Sequence, residues 1–136
     1  MINAAKIWLL IGSLLAALGV AIGAFGAHAL PGWLEARGRS AEDITRALAT
    51  FETAVRYQMY HALALVLLGL LARQLPDRAW SVAGVLFLVG VAIFSGMLYA
   101  WVLTQAKTFA MIVPLGGLAF IAGWLAMAVA AWRASP

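Results

Sequence analysis

The sequence contains no cysteine among its 136 residues, which excludes disulfides, thiolate metal sites and cysteine nucleophiles. This absence leaves the redox state of the compartment open. Charge is also scarce, because only 10% of the residues are Asp, Glu, Lys or Arg, whereas soluble domains carry roughly a quarter. The chain is therefore too apolar for a soluble domain, and lipid is its natural solvent.

Familiar chemical motifs are missing as well. The sequence has no phosphate-binding glycine loop, no HExxH, no serine-centred elbow and no acidic metal motif. Its net charge of +4 comes from basic residues that flank apolar segments and form no run, so nucleic-acid binding is not expected. No cofactor is expected, and an enzyme would have to be of an unfamiliar kind.

Apolar segments of helical length dominate what is present. Hydrophobic residues make up 65% of the chain, and about 20 of them in a helix cross a hydrocarbon core about 30 Å thick. The sequence predicts a single all-α membrane domain, a four-transmembrane-helix bundle. Its spans are predicted at about residues 7–27, 54–72, 79–103 and 110–132. Membrane lipid is the expected partner, because it would surround these spans.

The first span has one alternative interpretation, a secretory signal. Lys6 provides a short basic start, and Ala27-His28-Ala29 has the small-x-small pattern of a cleavage site. The uncharged stretch is longer than the usual signal core of about 15 residues, so a membrane span is favoured.

An amphipathic helix at about residues 41–53 is predicted to lead into the second span. Ser40 can cap this helix, and Asp43 occupies its third helical position. Apolar residues recur at three–four spacing and continue without Gly or Pro into the span. The combined helix is too long for one upright span, so its first turns are expected to project into water or to lie along the interface.

The remaining connections are short. A polar turn containing Arg73, Pro76, Asp77 and Arg78 joins the second and third spans, and the polar break at residues 104–108 makes spans three and four a tight hairpin. Pro114 is expected in the first turn of the last helix, where a missing N–H costs little.

Four spans place both ends of the chain on one side of the membrane. The basic residues divide almost evenly between the sides, so their count discriminates poorly. We expect both termini in the cytoplasm, because the first loop mixes its arginines with acids and is partly helical.

Polar and ionisable residues collect at the second span, and such residues normally face the bundle interior. Glu52 precedes Arg56 by four residues, the favourable order for a helical ion pair, and Tyr57 and His61 have the same spacing. Residues 52–61 are predicted to form one polar half-cylinder. The candidate cluster consists of His28, Glu52, Arg56, Tyr57, Gln58, Tyr60 and His61.

This cluster has a functional and a structural interpretation. As a site for a polar ligand, ion or proton, it would use a titrating His61, a charged Glu52 and an anion-binding Arg56. In the structural interpretation, which is favoured, the ion pair neutralises itself, Tyr57 and Tyr60 anchor at headgroup depth, and His61 bonds to another helix. A metal site is least supported, because the histidines and the acid lack ligand spacing.

Small residues form a face on the first and last spans. The helix-packing candidates are Gly12, Gly19, Gly23, Gly116, Gly117 and Gly123, and Gly19 and Gly23 form a GxxxG pair. Close helix packing is expected, and packing within one chain is favoured over packing between chains.

Four sequence blocks carry a family resemblance: GAFGAHAL, FETAVRYQMYHALAL, FSGMLY and PLGGLAFIAGW. They resemble the YgdD-like family of small membrane proteins, domain of unknown function 423, which is similar to the eukaryotic transmembrane protein 256. The resemblance implies a four-span bacterial inner-membrane protein but no activity, substrate or cofactor. The motif positions of the family coincide with this polar cluster and also include Phe51. The stretch TQAKTFAMIVPLGG departs from the family pattern, in which a glycine-bearing turn precedes Thr-Pro.

Three functional hypotheses remain. The first is a non-enzymatic component that acts through helix packing with a membrane-protein partner, a second copy in a homo-oligomer, or lipid. The second is a small transporter, channel-like or ligand-binding protein that uses the face containing Glu52, Arg56 and His61. The third, held lowest, is an intramembrane enzyme or metal-dependent oxidoreductase subunit built on His28 and His61.

Overall fold

The computed structural model describes residues 4–75 and 78–134, and the helices of this part are connected by short turns. Pro76 and Asp77 of the predicted polar turn lie outside the described residues. A short π-helical segment, here called the π turn, interrupts the third span. The helices are α1 (Ala4–His28), α2 (Leu30–Glu35), α3 (Ala41–Leu71), α4 (Arg78–Gly90), the π turn (Val91–Ser95), α5 (Gly96–Thr104) and α6 (Lys107–Arg133).

In the part of the chain that the structure describes, four helical segments are long and apolar enough to cross a membrane, which confirms the predicted fold class. They are α1, α3, the third span from Arg78 to Thr104, and α6. The amphipathic extension is continuous with the second span, because α3 runs unbroken for 31 residues. Its start is fixed as expected, since the Ser40 hydroxyl oxygen accepts a bond of 3.2 Å from the Asp43 amide.

The second and third spans form the centre of the bundle. Helix α1 packs along α3, α6 packs along the third span, and α3 contacts α4, the π turn and α5. The outer helices consequently expose large apolar side chains, such as Leu14 of α1 and Met111 of α6. These exposed faces are suited to hydrocarbon.

Glycines set the close approach between neighbouring helices. A Cβ added to Gly12 would lie 2.7 Å from the Ala62 carbonyl oxygen, and one added to Gly23 would lie 3.3 Å from a Val55 methyl group. Gly19 faces α3 in the same way. The small-residue face of α1 therefore packs on α3 of the same chain.

The small residues of α6 face the third span. A Cβ at Gly123 would lie 2.7 Å from the Phe87 ring, and one at Gly116 would overlap the Phe94 backbone nitrogen. Packing at Gly117 is looser, since the atom nearest to a Cβ added there is in the Phe94 ring, 3.9 Å away.

The connection after α1 contains a short helix. Residues 30–35 form the short helix α2, with Pro31 in its first turn. Leu30 and Leu34 are fully buried and pack with Phe51 and Val102. Helix α2 thus closes the loop end of the bundle, the end opposite the chain termini.

The predicted position of Pro114 is wrong. Helix α6 begins at Lys107, so Pro114 lies inside the helix and not in its first turn. The helix starts early because Gln105 takes up the left-handed conformation, with φ of 59°, and Ala106 is extended. The tight turn therefore lies in the segment where the sequence departs from the family pattern.

Candidate functional site

Helix α3 is hydrogen-bonded to each of the other three spans. Its residues 54–61 bond to α1, to the third span and to α6. The set of side chains that make these bonds, here called the polar core, consists of Gln58, His61, Ser95, Tyr99 and Trp124. Since lipid offers no hydrogen bonds, such groups are stable within a membrane only when paired.

Gln58 links three helices from a position that is only 3% exposed. Its Nε2 donates to the Leu15 carbonyl oxygen of α1 at 2.9 Å. Its Oε1 accepts a bond of 2.9 Å from the Tyr99 hydroxyl of α5. One side chain therefore joins both α1 and α5 to α3.

Ser95, the last residue of the π turn, makes the second link. It is fully buried, and its hydroxyl donates to the Ala54 carbonyl oxygen at 2.8 Å. A π turn inserts an extra residue into a helix and is frequent at functional sites. Here it brings Ser95 to α3 while Phe94 stacks on Tyr57, with ring centroids 4.5 Å apart.

His61 is buried and both of its ring nitrogens are engaged. Nε2 lies 3.2 Å from the indole nitrogen of Trp124 on α6, and Nδ1 lies 2.8 Å from the Tyr57 carbonyl oxygen. An indole N–H only donates, so Nε2 accepts and Nδ1 carries the proton of a neutral ring. The ring also stacks on Phe120, with centroids 3.5 Å apart. Neither nitrogen is left for an ion or ligand in this arrangement.

The other half of the predicted cluster lies on the outside. The Arg56 guanidinium donates to Glu52 at 2.7 Å, and both side chains are exposed. Tyr60 is 55% exposed. His28 is exposed, and within residues 4–75 and 78–134 it forms no hydrogen bond or ion pair with these residues. The half-cylinder is thus divided into an exposed charged edge and a buried hydrogen-bonded edge.

A lateral groove lies beside the buried edge. It has a volume of about 480 Å³ and is formed by α3, the π turn and α6. Its wall is mainly aromatic, and we call it the aromatic groove. The lining residues are Tyr57, Tyr60, His61, Phe94, Gly117, Phe120, Ile121 and Trp124.

Sequence reasoning missed three members of the polar core: Ser95, Tyr99 and Trp124. Ser95 and Tyr99 lie in the FSGMLY block, and Trp124 ends the PLGGLAFIAGW block. A serine or an aromatic residue in an apolar run gives no local sign of its partner. The family blocks could have singled out these three positions, although they do not show which residues the side chains contact.

Comparison with known proteins identifies the family. A family model described as "Protein of unknown function (DUF423)" matches residues 22–117. A UPF0382 membrane protein of Staphylococcus haemolyticus is 38% identical over 129 residues, which cover 94% of this chain and 97% of that protein. The chain belongs to the DUF423 family. The UPF0382 membrane protein YwdK of Bacillus subtilis is 39% identical over 127 residues, 93% of this chain and 96% of YwdK.

These relatives confirm the resemblance to domain of unknown function 423. Both are named bacterial membrane proteins, and together with the four apolar helices they identify this DUF423 member as a membrane protein. No solved structure matches the chain.

The described polar residues of this DUF423 protein do not form a metal-binding group. Within the described ranges, no three His, Asp or Glu side chains lie close enough together to hold a metal ion. The match to the family model extends from α1 into α6 and includes Gln58, His61, Ser95 and Tyr99, whereas Trp124 lies beyond it.

Proposed function

We propose that this protein is a non-enzymatic component of the bacterial inner membrane that acts by lateral packing of its outer helices. The surfaces it packs against are lipid and a neighbouring membrane helix, from a partner protein or a second copy. One observation carries the proposal: the buried polar side chains of α3 are bonded to neighbouring helices. These groups serve cohesion of the bundle, which leaves the apolar outer faces as the working surface.

The exposed face of α6 suits this role. Apart from Ile121 and Trp124, which line the aromatic groove, its large exposed side chains recur at alternating spacings of four and three residues, with Ala122 occupying one position of the repeat. They are Met111, Leu115, Leu118, Leu125, Val129 and Trp132. A seven-residue repeat of this kind keeps one apolar stripe facing a neighbouring helix, and the same stripe packs against lipid chains.

His61→Ala is expected to lower the free energy of unfolding by about 2–4 kcal/mol, because it leaves a cavity beside Phe120 and removes the acceptor of Trp124. Glu52→Ala is expected to change stability little, because its ion pair with Arg56 is exposed. Denaturation in a mild detergent, followed by tryptophan fluorescence, measures both. The proposal loses its support if His61→Ala leaves stability unchanged while Glu52→Ala abolishes an ion flux in proteoliposomes.

We also propose that both termini face the cytoplasm. Lys6, Arg73, Arg78 and Arg133 lie at the ends of the spans on the terminus side, where basic residues favour the cytoplasm. On the loop side the positive charge is partly neutralised, since Arg46 pairs with Glu42 and Arg56 with Glu52.

The absence of cysteine makes this orientation directly testable, because any introduced cysteine is unique. In bacterial spheroplasts, a membrane-impermeant maleimide should label Ala36→Cys, in the exposed loop after α2, without permeabilisation. Ala134→Cys, just after α6, should react only once the membrane is opened. The reverse pattern would place the termini outside.

A further inference from the structure

A second cavity lies at the loop end, where α3 meets the α5–α6 turn. It has a volume of about 390 Å³, and three of its lining side chains are basic. We call it the basic pocket. Its lining residues are Arg39, Asp43, Arg46, Ala47, Thr50, Trp101, Val102, Gln105 and Lys107.

Arg39 is held rigidly in this pocket. Its Nη2 donates to the Val102 carbonyl oxygen at 2.9 Å. With the Gln105 amide turned so that its oxygen faces the guanidinium, Nε and Nη1 donate to that oxygen at 2.8 and 2.7 Å. The left-handed turn at Gln105 presents the amide there. The guanidinium also lies at the negative end of the α5 dipole, so the fold itself positions this cation.

The charge that faces the pocket is net positive. The one acid that lines it is Asp43, whose carboxylate accepts a 2.8 Å bond from the Ser40 hydroxyl. Glu42, nearby on α3, is paired with Arg46. Lys107 forms no ion pair within residues 4–75 and 78–134, and it stands at the positive end of the α6 dipole. Among the described residues, an anion therefore finds a fixed cation, Arg39, and an unpaired cation, Lys107, at this pocket.

The basic pocket and the aromatic groove lie on the same face of α3. Thr50 lines the pocket, Tyr57 and His61 line the groove, and their spacings of seven and four residues place them on one side of a helix. On α6 the walls are Lys107 and Gly117, ten residues or about 15 Å apart along the axis. The groove thus begins about 10–15 Å further along these helices than the pocket, among the apolar residues of the spans.

We propose that one anionic phospholipid binds along this face, with its phosphate between Arg39 and Lys107 and an acyl chain in the aromatic groove. The proposal deepens the proposed function, on which it rests, by naming the class of lipid. A pocket of positive charge above an apolar groove matches the two parts of such a lipid. Trp101 at the rim has the amphipathic ring that belongs at headgroup depth.

Native mass spectrometry of the protein released from mild detergent tests the site. The detergent carries equal amounts of phosphatidylglycerol and phosphatidylcholine with the same chains. One phosphatidylglycerol adduct should be retained in preference to phosphatidylcholine. Lys107→Gln should reduce its occupancy about fivefold, the effect of one basic residue near a lipid surface. Arg133→Gln is the matched control, because it removes the same charge from the other end of α6.

Gly117→Leu tests the groove independently of charge. A Cβ at this position meets only the Phe94 ring at ordinary contact distance, so the larger side chain should fill the groove and displace the acyl chain. Retention of phosphatidylglycerol should fall while retention of a short-chain glycerophosphate at the basic pocket does not.

Three results would overturn the lipid proposal: equal retention of the two lipids, equal losses in Lys107→Gln and Arg133→Gln, or full displacement by inorganic phosphate at millimolar concentration. The last result would assign the basic pocket to a free anion. Melting curves and subunit number are recorded on the same samples. If the variants keep the melting curve and subunit number of the original protein and no lipid is selectively retained, the lipid proposal alone is removed. An ion flux in proteoliposomes would instead remove the proposed function.

Discussion

Gly116→Ala is expected to lower the free energy of unfolding by about 2 kcal/mol, because overpacking of a close helix contact typically costs about 1–3 kcal/mol. A Cβ at this position would overlap the Phe94 backbone nitrogen and lie 2.8 Å from its Cα. Backbone atoms of a neighbouring helix cannot rotate away as a side chain can. The third span and α6 would have to separate, and denaturation in a mild detergent measures the cost.

Gly96→Ala is the matched control. Gly96 also lies in a helix of the same hairpin, but a Cβ added there meets no atom within 4 Å. Alanine favours a helix over glycine by up to about 1 kcal/mol, so this variant should be as stable as the original protein or more stable. Equal destabilisation by the two substitutions would show that close packing at Gly116 is not the cause.

Gln58→Leu is expected to destabilise the protein by about 1–3 kcal/mol, the cost of leaving buried partners unpaired. The substitution removes the bond to α1 and leaves the Tyr99 hydroxyl without its acceptor. Hydrogen bonds between membrane helices average only about 0.6 kcal/mol each. The larger part of the expected loss therefore comes from the stranded hydroxyl.

Two further variants separate the hydrogen bonds of Gln58 from the general effect of a Gln→Leu change. Gln74→Leu makes the same change at an exposed turn position and should have little effect. Tyr99→Phe removes the stranded hydroxyl, so the double variant with Gln58→Leu should be less destabilised than the sum of the two single variants. Additive losses would contradict the role assigned to the Tyr99–Gln58 bond.

The prediction for Gln58 follows from the central position of α3 in the bundle. The block FETAVRYQMYHALAL contains the exposed ion pair as well as the buried Gln58 and His61. One helical segment thus presents charge on one side and joins the other spans on the other side. The π turn complements it, because Ser95 bonds to the Ala54 carbonyl oxygen and Phe94 forms part of the aromatic groove.

The sequence alone determined that the chain is an all-α membrane protein with four spans. Helices of about 20 apolar residues satisfy their own backbone hydrogen bonds, so length and composition are sufficient evidence. Local order also identified the cap at Ser40 and the ion pair of Glu52 and Arg56, since both join residues within four positions of each other. The sequence blocks indicated the family because matching a block requires only the order of its residues and no knowledge of their contacts.

Only the tertiary structure decided which polar residues are inside and what they bind. The bonds of Gln58 and His61 to other spans join residues 41 to 63 positions apart in the chain, and no local period encodes such partners. The start of α6 at Lys107, which places Pro114 inside the helix, was likewise set by the left-handed turn at Gln105. Within spans that are apolar on every side, the sequence pattern does not distinguish a lipid-facing side from a buried one, so packing alone separates them.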